Sequence, residues 1–342
     1  MPASLNLAAV RADLNEHLES LRDRDGAYGS YRSGPRKRPD LYASCDVAIA
    51  RAVMGDDLKA LPETQRLEWI AHINSFAAHN FDGGPDGSYF DSMGHSKLHA
   101  NGMVVGALGI LGGKQRFPCK LYEAFDTPEK AGPWLETVDW VKQWSASHWF
   151  WGGMHCFSFS KRCTPAWFEA VFAWLDANLD PQTGWWRKGV PHQDRHQPLG
   201  GSVHIVPIYE HHGRAFPYPE RVVDSVLALQ LPNGCWLDHA KGPMLNYLEL
   251  DALYAYAVMR KWAPKYRLDE VRKSVDRYAD AAIEYWNTRR GEFFKLHPHY
   301  ALAAAGAFGL LQQLAPERFP DERRWTDIFS DRRLYDTAAV EV

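Results

Sequence analysis

From Pro219 to Leu229 apolar residues recur at spacings of three and four. Val222, Val226 and Leu229 form one stripe, with Leu227 beside them and Glu220, Arg221 and Asp224 between. That spacing predicts an amphipathic helix. Gln230 closes it, Pro232-Asn233-Gly234 breaks it, and Trp236 follows at once. From Leu248 to Met259 the pattern becomes almost continuously apolar, which predicts a second helix buried on every side. The same succession, a charged amphipathic helix, a turn and an apolar helix, returns about every 50 residues. The other first helices are predicted from about Leu5 to Leu21, Glu63 to His79, Pro133 to Ser147, Pro165 to Leu179 and Leu268 to Trp286. The other second helices are predicted over Leu41 to Met54, Lys97 to Leu111, Ser202 to His212 and His299 to Leu314. The third pair is the weakest, because HWFWGGMHCFSFSKRC after Ser147 predicts a short or irregular second helix. In the last pair a turn is expected at Thr288–Glu292.

Helices apolar all round belong inside, and amphipathic ones around them. Six such pairs can close on themselves and leave no end repeat to cap. The expected fold is therefore all-α, an (α/α)6 toroid forming a single domain over residues 1–342. Gly102, Gly106, Gly109 and the run Ala303 to Gly306 allow close approach of the inner helices.

The turns carry a resemblance. Ser225 to Gln230 followed by Pro232-Asn233-Gly234-Cys235-Trp236 resembles the QW repeat of terpenoid cyclases. Trp174-Leu175-Asp176 with Asp180-Pro181-Gln182-Thr183-Gly184-Trp185-Trp186 is a looser copy. Asp25-Gly26-Ala27-Tyr28 and Asp86-Gly87-Ser88-Tyr89 keep the turn with Tyr in place of Trp. Over most of its length the chain thus resembles the terpenoid cyclase and protein prenyltransferase α/α-toroid superfamily, which implies the toroid. One scaffold hosts unrelated chemistries. The DxDD acid motif, the DDxxD magnesium motif and the prenyltransferase zinc set are all without a match in this sequence.

Composition narrows the partners. Aromatic residues make up 13% of the 342, with 14 Trp, enough for a large core or an aromatic-lined cavity. A net charge of −3 with the signs mixed gives no basic footprint for nucleic acid, and Arg36-Lys37-Arg38 reads as a solvated turn. No stretch approaches the roughly 18 apolar residues of a membrane span. The five cysteines are scattered without a CxxC pair, as expected of reduced thiols in a cytoplasmic protein. The expected partner is a small molecule or an oligosaccharide.

In a ring of helix pairs the inner-helix N-termini, with free N–H groups and partial positive charge, surround the natural pocket. These starts carry Tyr42, Ser44 and Asp46; His95, Lys97, His99 and Asn101; His148, Trp149, Trp151 and His155; Ser202 and His204; Asn246, Tyr247, Glu249 and Asp251; His297, His299 and Tyr300. Taken singly, each histidine reads as a cap or a half-buried group. His95 and His99 share a helix face, and His211 and His212 read as decoration of a helix end. Asp46 and Asp251 are lone carboxylates in apolar helices, costly unless paired. Each is a lock on a neighbouring helix or a cavity acid/base. The loop with Asp82, Asp86 and Asp91 does not match calcium-loop spacing.

A cavity of this composition suits a sugar, since aromatic faces stack on pyranose rings and His and Tyr carry protons. The first reading is a carbohydrate-active enzyme, a polysaccharide or uronide lyase or a glycoside hydrolase. Its catalytic candidates are His99, His204, Asp251, Tyr300 and Asp46. Its substrate-binding candidates are Tyr42, Asn101, His148, Trp149, Trp151, Asn246, Glu249, His297 and His299. A lyase would take Asn101 or Asn246 as carboxylate neutraliser, His99 or His204 as base and Tyr300 or Tyr247 as acid. A hydrolase would take two carboxylates from Asp46, Glu249 and Asp251. The alternatives are a terpenoid-cyclase-like enzyme with a non-standard acid and a non-catalytic binding scaffold. The first demands a polar wall with Trp, the second an apolar cavity with one acid, the third a filled centre. No cofactor is expected, with a metal ion at the histidine-rich end as the open alternative.

Overall fold

The computed structural model describes residues 3–80, 84–89, 93–238 and 244–336, and over these the chain is mostly helical, an all-α fold with one small hairpin. In chain order the helices are α1 (Leu7–Ser20), α2 (Leu41–Val53), α3 (Glu63–Asn74), α4 (Lys97–Leu111), α5 (Pro128–Leu135), α6 (Gln143–Ala146), α7 (His148–Phe150), α8 (Pro165–Asn178), α9 (Gln197–Ser202), α10 (Val206–His211), α11 (Pro219–Leu229), α12 (Tyr247–Met259), α13 (Leu268–Phe293) and α14 (Pro298–Leu314). Among the described residues no helix is long and apolar enough to cross a membrane.

Polar side chains start the apolar helices by accepting a first-turn N–H. Asp40 accepts from Ala43 ahead of α2, Ser96 from His99 at α4, Asn246 from Leu248 at α12 and His297 from His299 at α14. These four helices are buried nearly throughout, as their composition predicts.

Four predicted elements differ. The helix expected to reach His79 stops at Asn74, and Ala77–Asn80 (β1) pairs antiparallel with Gly84–Tyr89 (β2). Asp82 and Asp91 lie outside the described residues, while Asp86 bonds Ser88 and Lys97. The expected helix from Pro133 to Ser147 is instead α5, which already contains Pro133, then the short α6 and α7 and a π-helical turn over Trp151–His155. Ser202 to His212 is not one helix, since α9 ends at Ser202 and Pro207, which has no N–H, stands in the first turn of α10. No turn interrupts Thr288–Glu292; α13 runs through to Phe293, because its one weak helix former there, Gly291, costs only about 1 kcal/mol.

The irregular third unit has a packing reason. A Cβ on Gly152 would fall 1.8 Å from the Leu98 carbonyl oxygen, so the π-turn meets α4 backbone to backbone. The Gly-Trp turn behaves as its sequence suggests. Gly234 sits at φ +87°, Gln230 Nε2 donates to the Gly234 and Ser274 carbonyls, and Trp236 Nε1 donates to Val226 O. Trp236 also packs at a tilt against Tyr278 of α13, with centroids 5.6 Å apart, and so joins one helix pair to the next.

Among the apolar helices α2 packs on α4 and α14, α12 on α9 and α14, and α4 on the Trp151–His155 turn, while α6 packs on α9. The amphipathic α1 and α13 cover α14, and α3 covers α2 and α4. Beyond α14 the chain returns across the C-terminal ends of α2, where Val53 O accepts from Thr326 N and Ala52 O from Arg333.

Candidate functional site

The starts of α4, α7, α12 and α14 converge on a cavity of about 220 Å³. Its rim is imidazole: His95, His99, His148, His204 and His299 all line it, with Tyr247, Tyr300, Trp144 and Trp151 between them. Ring centroids step from His95 to His99 (4.5 Å), to His148 (4.5 Å) and to His204 (4.6 Å). Ring nitrogens of His95, His99 and His299 lie within 4.8 Å of one another. His95 is exposed, while His99 and His299 are buried.

Three of the rings are held from behind through Nδ1. His299 Nδ1 is 2.7 Å from Asp46 Oδ1, His99 Nδ1 is 2.7 Å from the Tyr42 hydroxyl, and His204 Nδ1 is 2.7 Å from Gly200 O and 3.1 Å from Ser147 Oγ. Nε2 is therefore the nitrogen each leaves for a ligand. His148 makes no ring hydrogen bond among the described residues. Burial and the neighbouring imidazoles hold His99 and His148 well below the usual histidine range, and burial takes His204 down to about 4. These rings are neutral at neutral pH and present lone pairs.

A buried imidazole group with carboxylate, hydroxyl and carbonyl partners behind it is the donor arrangement of a transition-metal site. Around one ion with M–N of about 2.1 Å, neighbouring nitrogens stand about 3.4 Å apart.

Below the rim the walls change character. With Met93, which precedes α4, Ile49 of α2, Met103 and Gly106 of α4, Leu302 of α14, and Ile328, Phe329 and Leu334 of the C-terminal segment complete the lining. Tyr247 donates to His299 O, and burial lifts its hydroxyl well above the usual tyrosine range, so it stays a neutral donor. The Tyr300 hydroxyl has no hydrogen-bond partner among the described residues. No family model, curated protein or solved structure matches the chain.

The sequence-predicted residues divide. His99, His148, His204, His299, Tyr300 and Trp151 line the cavity, and Asp46 and Tyr42 stand directly behind it. His297 caps α14, its Nδ1 3.9 Å from Asp46 Oδ2. Others turn away. Asn101 is a strut, donating to Tyr122 Oη and Gly152 O and accepting from Gln115, so its amide has no N–H left to neutralise a substrate carboxylate. Glu249 accepts from the Trp236 and Leu237 N–H groups and locks α12 to the Gly-Trp turn. Asn246 is the N-cap of α12, and Trp149 is half-buried outside the lining.

Asp251 shares a helix face with Tyr247 and Tyr254. It is buried with neither oxygen hydrogen-bonded, and burial raises it well above the carboxylate range. It is no paired lock. His211 and His212 are not surface decoration, since His211 Nδ1 meets His155 Nε2 at 3.1 Å and His212 Nε2 meets Ser158 Oγ at 2.9 Å. Sequence reasoning missed Trp144, Met103 and the three C-terminal residues. That last segment has no periodicity to mark it.

Proposed function

We propose that the protein is a metal-dependent enzyme. It binds one divalent transition-metal ion through His95, His99 and His299 and acts on a small organic substrate in the central cavity. One observation carries the reading: three imidazoles offer nitrogens within 4.8 Å, two of them fixed from behind by Asp46 and Tyr42. When bound, an ion with only neutral ligands keeps its full charge and acts as a Lewis acid toward a water or a substrate oxygen. Asp46 orients His299 and increases its basicity. His204, neutral and held by Gly200 O and Ser147, is the candidate proton acceptor, and Tyr300 with its open hydroxyl is the candidate donor.

This narrows the carbohydrate reading. A sugar needs polar partners on most of its faces, and below the rim the lining side chains are hydrocarbon and thioether. The cyclic order of contacts, α2 to α4 to the Trp151–His155 turn and α6 to α9 to α12 to α14 and back to α2, supports a closed (α/α)6 toroid. The Gln230–Trp236 turn supports its kinship with the terpenoid-cyclase superfamily. A second reading, a cyclase-like enzyme with Asp251 as its acid, draws on the lack of any hydrogen-bond partner for that carboxyl, which burial raises well above the carboxylate range; Asp251 itself does not line the cavity.

Cobalt(II) titration of chelator-stripped protein tests the proposal. One equivalent should develop the visible bands of a nitrogen-coordinated ion, and His95→Ala, His99→Ala and His299→Ala should abolish them. No bands, or bands unchanged in all three variants, would remove the metal centre. Turnover of an isoprenoid that survives chelation and dies in Asp251→Asn would establish the second reading instead.

A further inference from the structure

The cavity extends well past what an ion at its rim requires. His99, Met103 and Gly106 follow one another along α4, so the apolar wall continues about 10 Å beyond the imidazole at 1.5 Å per residue. Ile49 on α2 and Leu302 on α14 flank it, each three residues past Asp46 and His299 respectively. Leu334 closes the far end: a Cβ on Gly106 would stand 3.5 Å from Leu334 Cδ2 and 3.3 Å from Ile49 Cδ1. A hydroxylated ligand placed there would lose its water partners and gain none.

Size sets the second constraint. An apolar cavity of about 150 Å³ accommodates a benzene ring. Scaled to the 220 Å³ found here, the space takes about nine non-hydrogen atoms. Resting on the metal-dependent reading of the same site, we propose that the substrate is a small amphiphile. Its oxygen-bearing head, a carboxylate or carbonyl, meets the imidazole rim, and a hydrocarbon body of about six carbons fills the space between Ile49, Met103, Leu302 and Leu334.

Calorimetric titration of the full chain with straight-chain carboxylates tests this. Butanoate, hexanoate, octanoate and dodecanoate are each measured on zinc-loaded and chelator-stripped protein, with glucuronate as the hydrophilic probe. On zinc-loaded protein the affinity should rise about fourfold per methylene through octanoate and then stop rising or fall at dodecanoate. Glucuronate should bind far more weakly than octanoate.

Two variants that touch none of the five imidazoles move the optimum in opposite directions. Leu334→Ala should favour chains about two or three carbons longer, and Ile49→Phe shorter ones. Thermal melting reports whether each is folded, and either one folded suffices. An affinity independent of chain length, glucuronate binding as tightly as octanoate, or an unmoved optimum in a folded variant would overturn the assignment. Zinc content is read on the same samples. A steep length series without zinc binding removes the metal centre alone, and zinc binding with a flat series removes the amphiphile alone.

Discussion

Asp46→Asn separates a working outer partner of a metal ligand from a mere helix lock. Asp46 is fully buried in α2 and holds His299 Nδ1 at 2.7 Å, with Oδ2 lacking any hydrogen bond. The asparagine is isosteric and its Oδ1 still accepts from Nδ1–H, so the ring stays oriented and only the negative charge is lost. Loss of such a partner weakens metal binding about 10- to 100-fold, or about 1.4 to 2.7 kcal/mol. The assay is competition for zinc against a chromophoric chelator, run on wild type, Asp46→Asn and Asp251→Asn. Asp251 is the control because it is equally buried but bonds no histidine. The account requires one equivalent of zinc in all three proteins, with affinity reduced only in Asp46→Asn. Equal affinity in wild type and Asp46→Asn, or equal weakening by the two substitutions, would refute the reasoning.

Other outcomes follow from the same geometry. Asp251→Leu removes a buried carboxyl with no hydrogen-bond partner and should raise unfolding stability by about 1 to 3 kcal/mol in a denaturant titration; a loss would mean the carboxyl has a partner in solution. Glu249 is pushed up to about 8 by burial, against the Trp236 and Leu237 N–H groups. Its folded value lies above its unfolded one, so the native state binds the extra proton. Stability should therefore be highest below the ordinary glutamate value of 4.5, fall as pH rises to about 8 and level off above that. Glu249→Gln should lack this component, on the order of a few kcal/mol, when melts are compared across that window. Gly152→Ala forces a Cβ against the Leu98 carbonyl and should cost at least about 2 kcal/mol. Gly291→Ala, with nothing within 4 Å in a regular helix, should add up to about 1 kcal/mol.

The helices were legible wherever burial and period agreed. Leu41 to Met54 and Lys97 to Leu111 have sharp capping residues and continuous apolar faces, and the structure ends them within a residue of the pattern. The pattern failed where tertiary contact overrides local preference. The Trp151–His155 turn exists because Gly152 must meet the backbone of α4, which no local period encodes. The rim histidines could be named because each stands at or near a helix start predicted from the pattern. What joins them could not, since His299 and Asp46 are 253 residues apart. The same limit hid the cavity floor: Ile328, Phe329 and Leu334 come from an irregular segment whose importance depends on where it returns. Glu249 misled for the opposite reason. A carboxylate in an apolar helix signals a partner, and the partner here is the backbone of a turn rather than a ligand.

The most direct test of the central claim is elemental analysis of the purified full-length chain, before and after dialysis against zinc, iron(II) and copper(II) salts, with His95→Ala, His99→Ala and His299→Ala carried in parallel. The account predicts close to one transition-metal ion per chain, lost in each of the three variants and retained in His211→Ala, whose ring lies in the separate group with His155. A chain that takes up no metal under any of these conditions, or one whose metal survives all three rim substitutions, would contradict it.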